Sequence, residues 1–174
     1  MDRVRSEEIY RGRVVTLRKD TIRTAEGKEL QREVVAHPGA VVVLAEEGGE
    51  LLFVRQYRYA AGEELLELVA GTLEPGEAPE ATAARELQEE AGYKAGRLVK
   101  LGEFYSAPGF CTELLHLYLA EELTPSRLPG DEDEQIEVVR LSPDAAIQMA
   151  VGGHLRDAKT LAGVLLYAQR RASR

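Results

Sequence analysis

Between Gly71 and Tyr93 the chain reads GTLEPGEAPEATAARELQEEAGY, a short stretch that carries six glutamates. Residues 80–91 have helical periodicity, with Pro79 suited to a first turn and Gly92 to a C-terminal cap. On such a helix Glu86 and Glu90 stand at i, i+4, and Glu89 at i+3 from Glu86. The three carboxylates then share adjoining patches of one surface. Like charges at these spacings destabilise an exposed helix by roughly 0.2–0.5 kcal/mol per pair. Arg85 reaches Glu89 at i+4 and offsets part of that repulsion. Binding of hard divalent cations gives such crowding a purpose. Mg²⁺ and Mn²⁺ favour carboxylate oxygens and leave positions open for water and phosphate. The Gly-Pro-rich GTLEPGE loop can turn back on the helix start, where a strand-end carbonyl such as that of Ala70 would complete the shell. The plainer reading is a solvated helix face, since 24 of the 174 residues are glutamate. The spacing of the whole stretch decides between the two.

Holding those groups in place takes a core. The chain is long enough for one domain with a small appendage, and 44% hydrophobic with 30% charged residues is ordinary for a soluble globular protein. Its net charge of −8 excludes a nucleic-acid backbone as partner, and means that something positive must intervene for any phosphate-bearing ligand. Cys111 is alone, so no internal disulfide forms and a reducing compartment is expected. The N-terminus lacks the apolar run of a secretory signal, and AVVVLA at 40–45 is too short to cross a bilayer. The expectation is a cytoplasmic enzyme or binding protein.

Residues 13–24 and 30–36 alternate apolar and polar around a turn at 25–28, which predicts an antiparallel hairpin. Pro38-Gly39 marks a boundary between residues 1–38, a small N-terminal sheet, and a main domain over 39–174. Strands are expected at 40–45, 51–58, 65–71, 96–105, 113–122 and 136–142. Helices are expected at 80–91, from Ser142-Pro143 to 151, and from an Asp157 cap to Gln169. Strands interleaved with helices indicate an α/β fold, a mixed sheet with helices on its faces. Two loops stand out: SAPGFCT at 106–112, and the long acidic TPSRLPGDEDEQ at 124–135.

The stretch from Gly71 through five residues to Glu77, seven to Arg85-Glu86-Leu87, one to Glu89-Glu90 and one to Gly92-Tyr93 resembles the Nudix box, GX5EX7REUXEEXGU. Every fixed position is met, and only the last aliphatic slot departs, holding Tyr93. The resemblance implies a Nudix-type α/β/α sandwich that cleaves a nucleoside diphosphate linked to a second moiety with two or three Mg²⁺ or Mn²⁺ ions. By the same resemblance Glu86 and Glu90 are metal ligands, Glu89 is a further ligand or orients water, and the Ala70 carbonyl completes the site. Arg85 would hold the glutamates and Glu77 would support it.

Beyond the box, nearly the whole chain is similar to the ADP-ribose pyrophosphatase branch. Pro108 lies within SAPGFCTE, RQYR at 55–58 looks like that branch's EQxR strand, and QRE at 31–33 like its substrate-facing pair. These likenesses imply Arg58 as a phosphate contact, Arg32 and Glu33 on the adenosine side, and Gly109 and Glu113 near the terminal ribose. The GDEDEQIEVV segment resembles an acidic loop that supplies a general base, with Glu132 aligning best and Glu134 next. After YRG, where relatives place an aromatic, this chain has Arg13, which could stack on a base through its guanidinium or signal a different base. The implied reaction is hydrolysis of ADP-ribose to AMP and ribose 5-phosphate. The alternatives are a nucleotide sugar such as GDP-mannose or a dinucleotide, and a domain that binds nucleotides without cleaving them. A hairpin that cannot bury both faces alone, and the branch's habit of exchanging this sheet, imply a homodimer.

Overall fold

The computed structural model describes residues 1–130 and 135–173. Strands β1 (Asp2–Arg11), β2 (Thr16–Arg23) and β3 (Glu29–Ala36) form an antiparallel sheet in the order β1-β2-β3. The expected hairpin is β2 and β3, with Thr16 opposite Ala36 and Arg23 opposite Glu29. The sequence reading missed β1. Its register slips at Val4 and Ile9, which breaks the alternation that marks a strand. All ten of its residues are exposed.

The main sheet contains β4 (Ala40–Glu47), β5 (Glu50–Arg58), β6 (Glu63–Glu67), β7 (Val69–Thr72), β8 (Tyr93–Tyr105), β9 (Leu114–Pro125) and β10 (Glu137–Leu141). Its order is β10-β5-β4-β9-β8, with β6 on β5 and β7 on β4. Only β4 and β9 pair in parallel among the described strands, so the sheet is mixed as expected. The single strand expected at 65–71 is two. The chain leaves its pairing with β5 at Glu67, opposite Val54, and joins β4 at Val69, opposite Val43. The hinge residue Leu68 is buried, and its N–H donates to Thr160 Oγ1 at 2.8 Å.

Alternation along β4, β5 and β9 builds two cores. Val42, Leu44, Leu51, Phe53, Leu117 and Leu119 pack under α2 (Pro143–Val151) and α3 (Ala158–Ala172), with Ala146, Val164 and Tyr167. Val41, Val43, Leu52, Val54, Tyr118 and Ala120 pack on the other face under α1 (Pro79–Glu86), with Ala83, Leu87 and Ala91. Helices cover both faces, which is the expected sandwich. Ser142 caps α2 by accepting from the Ala145 N–H, and Asp157 caps α3 by accepting from the Thr160 N–H.

The helix expected at 80–91 differs in one respect. α1 ends at Glu86, and Leu87–Ala91 continue it as a π-helical turn closed by Gly92 in the left-handed region at φ 77°. Adding a residue to the turn re-aims the last glutamates.

Candidate active site

Arg85 organises the carboxylates. Its Nε and Nη2 donate to the two oxygens of Glu77 at 3.2 Å each, and its Nη1 donates to Glu86 Oε1 at 2.7 Å and Glu89 Oε2 at 2.8 Å. One guanidinium thus binds three carboxylates, which raises its pKa well above the ordinary arginine value, with the Glu77 hydrogen bonds the largest cause. The same bonds hold the Glu77 carboxyl below the usual carboxylate range. Glu90 points elsewhere. It is buried, and its Oε2 accepts from the Ala70 N–H at 3.2 Å. The sequence placed all three helix glutamates on one surface. The π-helical turn instead leaves Glu86 and Glu89 facing a cleft and sends Glu90 into the protein beside β7.

Gly71 is the reason Glu86 can stand where it does. A Cβ at Gly71 would run into the Glu86 carboxyl group, so only glycine leaves that space.

The cleft has a volume of about 840 Å³. It gathers Arg13, Arg58, Ala70, Arg85, Glu86, Glu89 and Glu113 from the residues singled out in the sequence. Arg32, Glu33 and Gly109 do not line it. Arg32 is exposed on β3 and donates from Nη1 to the Gln31 carbonyl, while β3 is joined to the 106–112 loop through Val35 N–H to the Phe110 carbonyl at 2.8 Å. Glu77 stands behind Arg85. Glu132 and Glu134 lie outside the described residues.

Several cleft residues escaped the sequence reading. Lys159 and Asp157 come from the start of α3, and Tyr105 from the end of β8. The buried Glu67 meets Arg58 in a double hydrogen bond, Nε to Oε1 and Nη2 to Oε2, both at 2.7 Å. No local pattern marks these residues, because the pairing of β6 with β5 and the docking of α3 bring them together. His37 also stands beside a cleft residue. Its Nδ1 accepts from the Gly39 N–H at 3.1 Å and is 3.7 Å from Glu113 Oε1.

The described cleft wall carries four cationic side chains (Arg13, Arg58, Arg85, Lys159) and five acidic ones (Glu74, Glu86, Glu89, Glu113, Asp157). A diphosphate therefore finds no net positive charge in it. Among the described residues, no three acidic, His or Cys side chains converge as a ready cation shell. Arg85 draws Glu77, Glu86 and Glu89 to itself instead, leaving that cluster two negative charges in excess. Hard oxygen donors, this excess and the cradle at Gly71 fit a divalent cation.

Residues 35–164 match the NUDIX domain, and residues 1–35 match the nucleoside diphosphate sugar hydrolase N-terminal domain. The chain belongs to the Nudix family. It is 41% identical over 160 residues to an ADP-ribose pyrophosphatase of Bacillus subtilis (strain 168), covering 90% of this chain and 86% of that one. It is 36% identical over 161 residues to a GDP-mannose pyrophosphatase of Yersinia pestis (strain Pestoides F), covering 85% and 80%. A crystal structure of an ADP compounds hydrolase superposes with a TM-score of 0.88 at 23% identity, covering 99% and 94%, which shows the shared fold. Among the described residues no helix is long and apolar enough to cross a membrane.

Proposed function

We propose that the protein hydrolyses the pyrophosphate bond of ADP-ribose, giving AMP and ribose 5-phosphate. The observation that carries this reading is one cleft joining Arg58 to Arg85-tethered Glu86 and Glu89 beside Ala70 and Gly71. The relatives named above supply the substrate class. In the reaction a water oxygen bonds to one phosphorus while the bridging oxygen leaves, and the water proton goes to a carboxylate.

Glu86 and Glu89 from the cleft wall, the Ala70 carbonyl, and Glu90 from behind it through the carboxylate oxygen that the Ala70 N–H does not occupy, would hold Mg²⁺ or Mn²⁺, two or three ions in all. Such ions neutralise charge on the phosphoryl oxygens and acidify water. Arg85, backed by Glu77, holds Glu86 and Glu89 in place at the cleft wall. Arg58 grips the diphosphate, Glu113 serves the terminal ribose near Gly109, and Glu132 is the base, with Glu134 the second candidate for that role. In a homodimer that exchanges the 1–38 sheet, Arg32 and Glu33 reach the cleft of a second copy, where they hold the adenosine side. We place the enzyme in the cytoplasm.

Arg13 lines the cleft with Val14, which favours a second reading in which the base differs and the substrate is GDP-mannose. Incubation with ADP-ribose, GDP-mannose and a dinucleotide, each with Mg²⁺ and with Mn²⁺, separates the readings. AMP and ribose 5-phosphate as the fastest-formed products are expected. Faster release of GMP from GDP-mannose would support the second reading, and binding without cleavage would point to a nucleotide sensor.

A further inference from the structure

Glu67 is a charged side chain only 1% exposed, and nothing in the reaction described above uses it. Burial of a carboxylate is unfavourable unless partners compensate it. Here the compensation comes from two cations that both line the cleft. Arg58 offers its Nε and Nη2 edge as a fork, and Lys159 pairs through Nζ with the same Oε2 that the fork uses. Lys159 is itself only 15% exposed and is anchored a second time by Asp157 Oδ2 at 3.0 Å.

The backbone beneath this cluster is cross-tied. Asp157 Oδ2 accepts from both the N–H and the Oγ1–H of Thr160, at 3.0 and 2.6 Å. Thr160 Oγ1 accepts from the N–H of Leu68, the residue after Glu67. Glu67 therefore stands on a hinge pinned to the first turn of α3, and its carboxylate has little freedom. Arg58 stands on the last position of β5 and retains 37% exposure. A flexible arginine on a strand end would otherwise lose much rotamer freedom on gripping a ligand.

We propose that Glu67 is a positioning residue, which presents the Arg58 guanidinium to the diphosphate of the substrate, with Lys159 as its second anchor. The inference rests on the reading of Arg58 as a diphosphate contact. Glu67 holds the arginine in its bound geometry before the ligand arrives, so ordering is not charged to binding. Two cations, Arg58 and Lys159, meet two carboxylates, Glu67 and Asp157, so what Glu67 gives the guanidinium is a fixed orientation and no added charge. The interaction is present with bound substrate and at the transition state alike, so its loss is felt in KM more than in kcat.

The experiment measures ADP affinity by calorimetry in Mg²⁺, and steady-state kinetics on whichever compound the wild type cleaves. Wild type, Glu67→Gln and Glu67→Asp are compared at a temperature where circular dichroism shows each folded. The expected result is ADP affinity weakened at least about 10-fold and KM raised in parallel, with kcat within about threefold of wild type and Glu67→Asp between the two. A purely structural role would lower Tm and leave ADP affinity within twofold, which overturns the proposal. If neither Glu67 variant folds, Arg58→Lys decides, since it keeps the cation and removes the fork; wild-type ADP affinity there also overturns it. Failure of the wild type to cleave any compound contradicts the proposed function alone, because the ADP measurement stands without turnover.

Discussion

Glu86 meets two neighbours that no other helix glutamate meets together, the Arg85 guanidinium at 2.7 Å and the side-chain-free face of Gly71. Glu86→Gln keeps the shape and removes the charge. We expect kcat to fall on the order of 100-fold or more with an unchanged circular dichroism spectrum, because in the proposed function Glu86 is a metal ligand, and losing one removes stabilisation that the transition state needs. Turnover equal to wild type would defeat the assignment. The charge pattern of Glu86, Glu89, Glu90 and Arg85 was legible because the residues sit within one helical segment. Glu67 was illegible, since its partners Arg58 and Lys159 are 9 and 92 residues away. Burial acts to raise the Glu67 pKa, but the Arg58 hydrogen bonds and the Lys159 charge outweigh it and hold the group below its ordinary 4.5. A folded-state pKa below the unfolded one gives stability that is present above pH 4.5 and fades as pH falls through the lowered value. Wild type should exceed Glu67→Gln in unfolding free energy by about 3 kcal/mol at pH 7. Denaturant titrations should show this gap narrowing below pH 4.5, and a gap independent of pH would contradict the ion-pair origin.

At the scale of elements, the π-helical turn and strand β7 work as a pair. The last residue of α1 sets Glu86 against Gly71, and the turn that follows sets Glu90 against the Ala70 N–H, so the strand and the helix end must keep their separation. Gly71→Ala adds a methyl group at that contact. We expect it to destabilise the fold by about 1–3 kcal/mol through overpacking, and to lower kcat by about 100-fold by displacing Glu86. Thermal unfolding and steady-state kinetics read the two effects, and normal kinetics would show that Glu86 has room elsewhere. A helix was evident from Pro79, its periodicity and Gly92, while the widening of its last turn was not. A π-turn depends on how Glu90 and Leu87 pack against the sheet, which residue spacing does not record. The break at Leu68 escaped notice for a similar reason, since LLELVAG has no Gly or Pro before its last residue to interrupt one strand, and only pairing with β5 and then β4 divides it.

At the scale of the molecule, β1 displays Val4, Ile9 and Tyr10 at 46, 53 and 61% exposure on a sheet of three strands. Such a sheet gains stability by covering its apolar side chains. We expect sedimentation equilibrium to give the mass of two chains, and Ile9→Asp with Tyr10→Asp to shift it toward one. A monomeric wild type would contradict the exchanged sheet. The two-layered core was readable from alternation in β4, β5 and β9, because Val42 and Leu44 must face away from Val41 and Val43. The whole fold serves to set a cluster of carboxylates, in excess over its one guanidinium, beside a cleft of about 840 Å³. Electron paramagnetic resonance of Mn²⁺ in the presence of ADP tests that claim most directly. Two or three tightly bound ions per wild-type chain are expected, with at least one lost in Glu86→Gln. No tight ion in the wild type, or the same number in both, would contradict it.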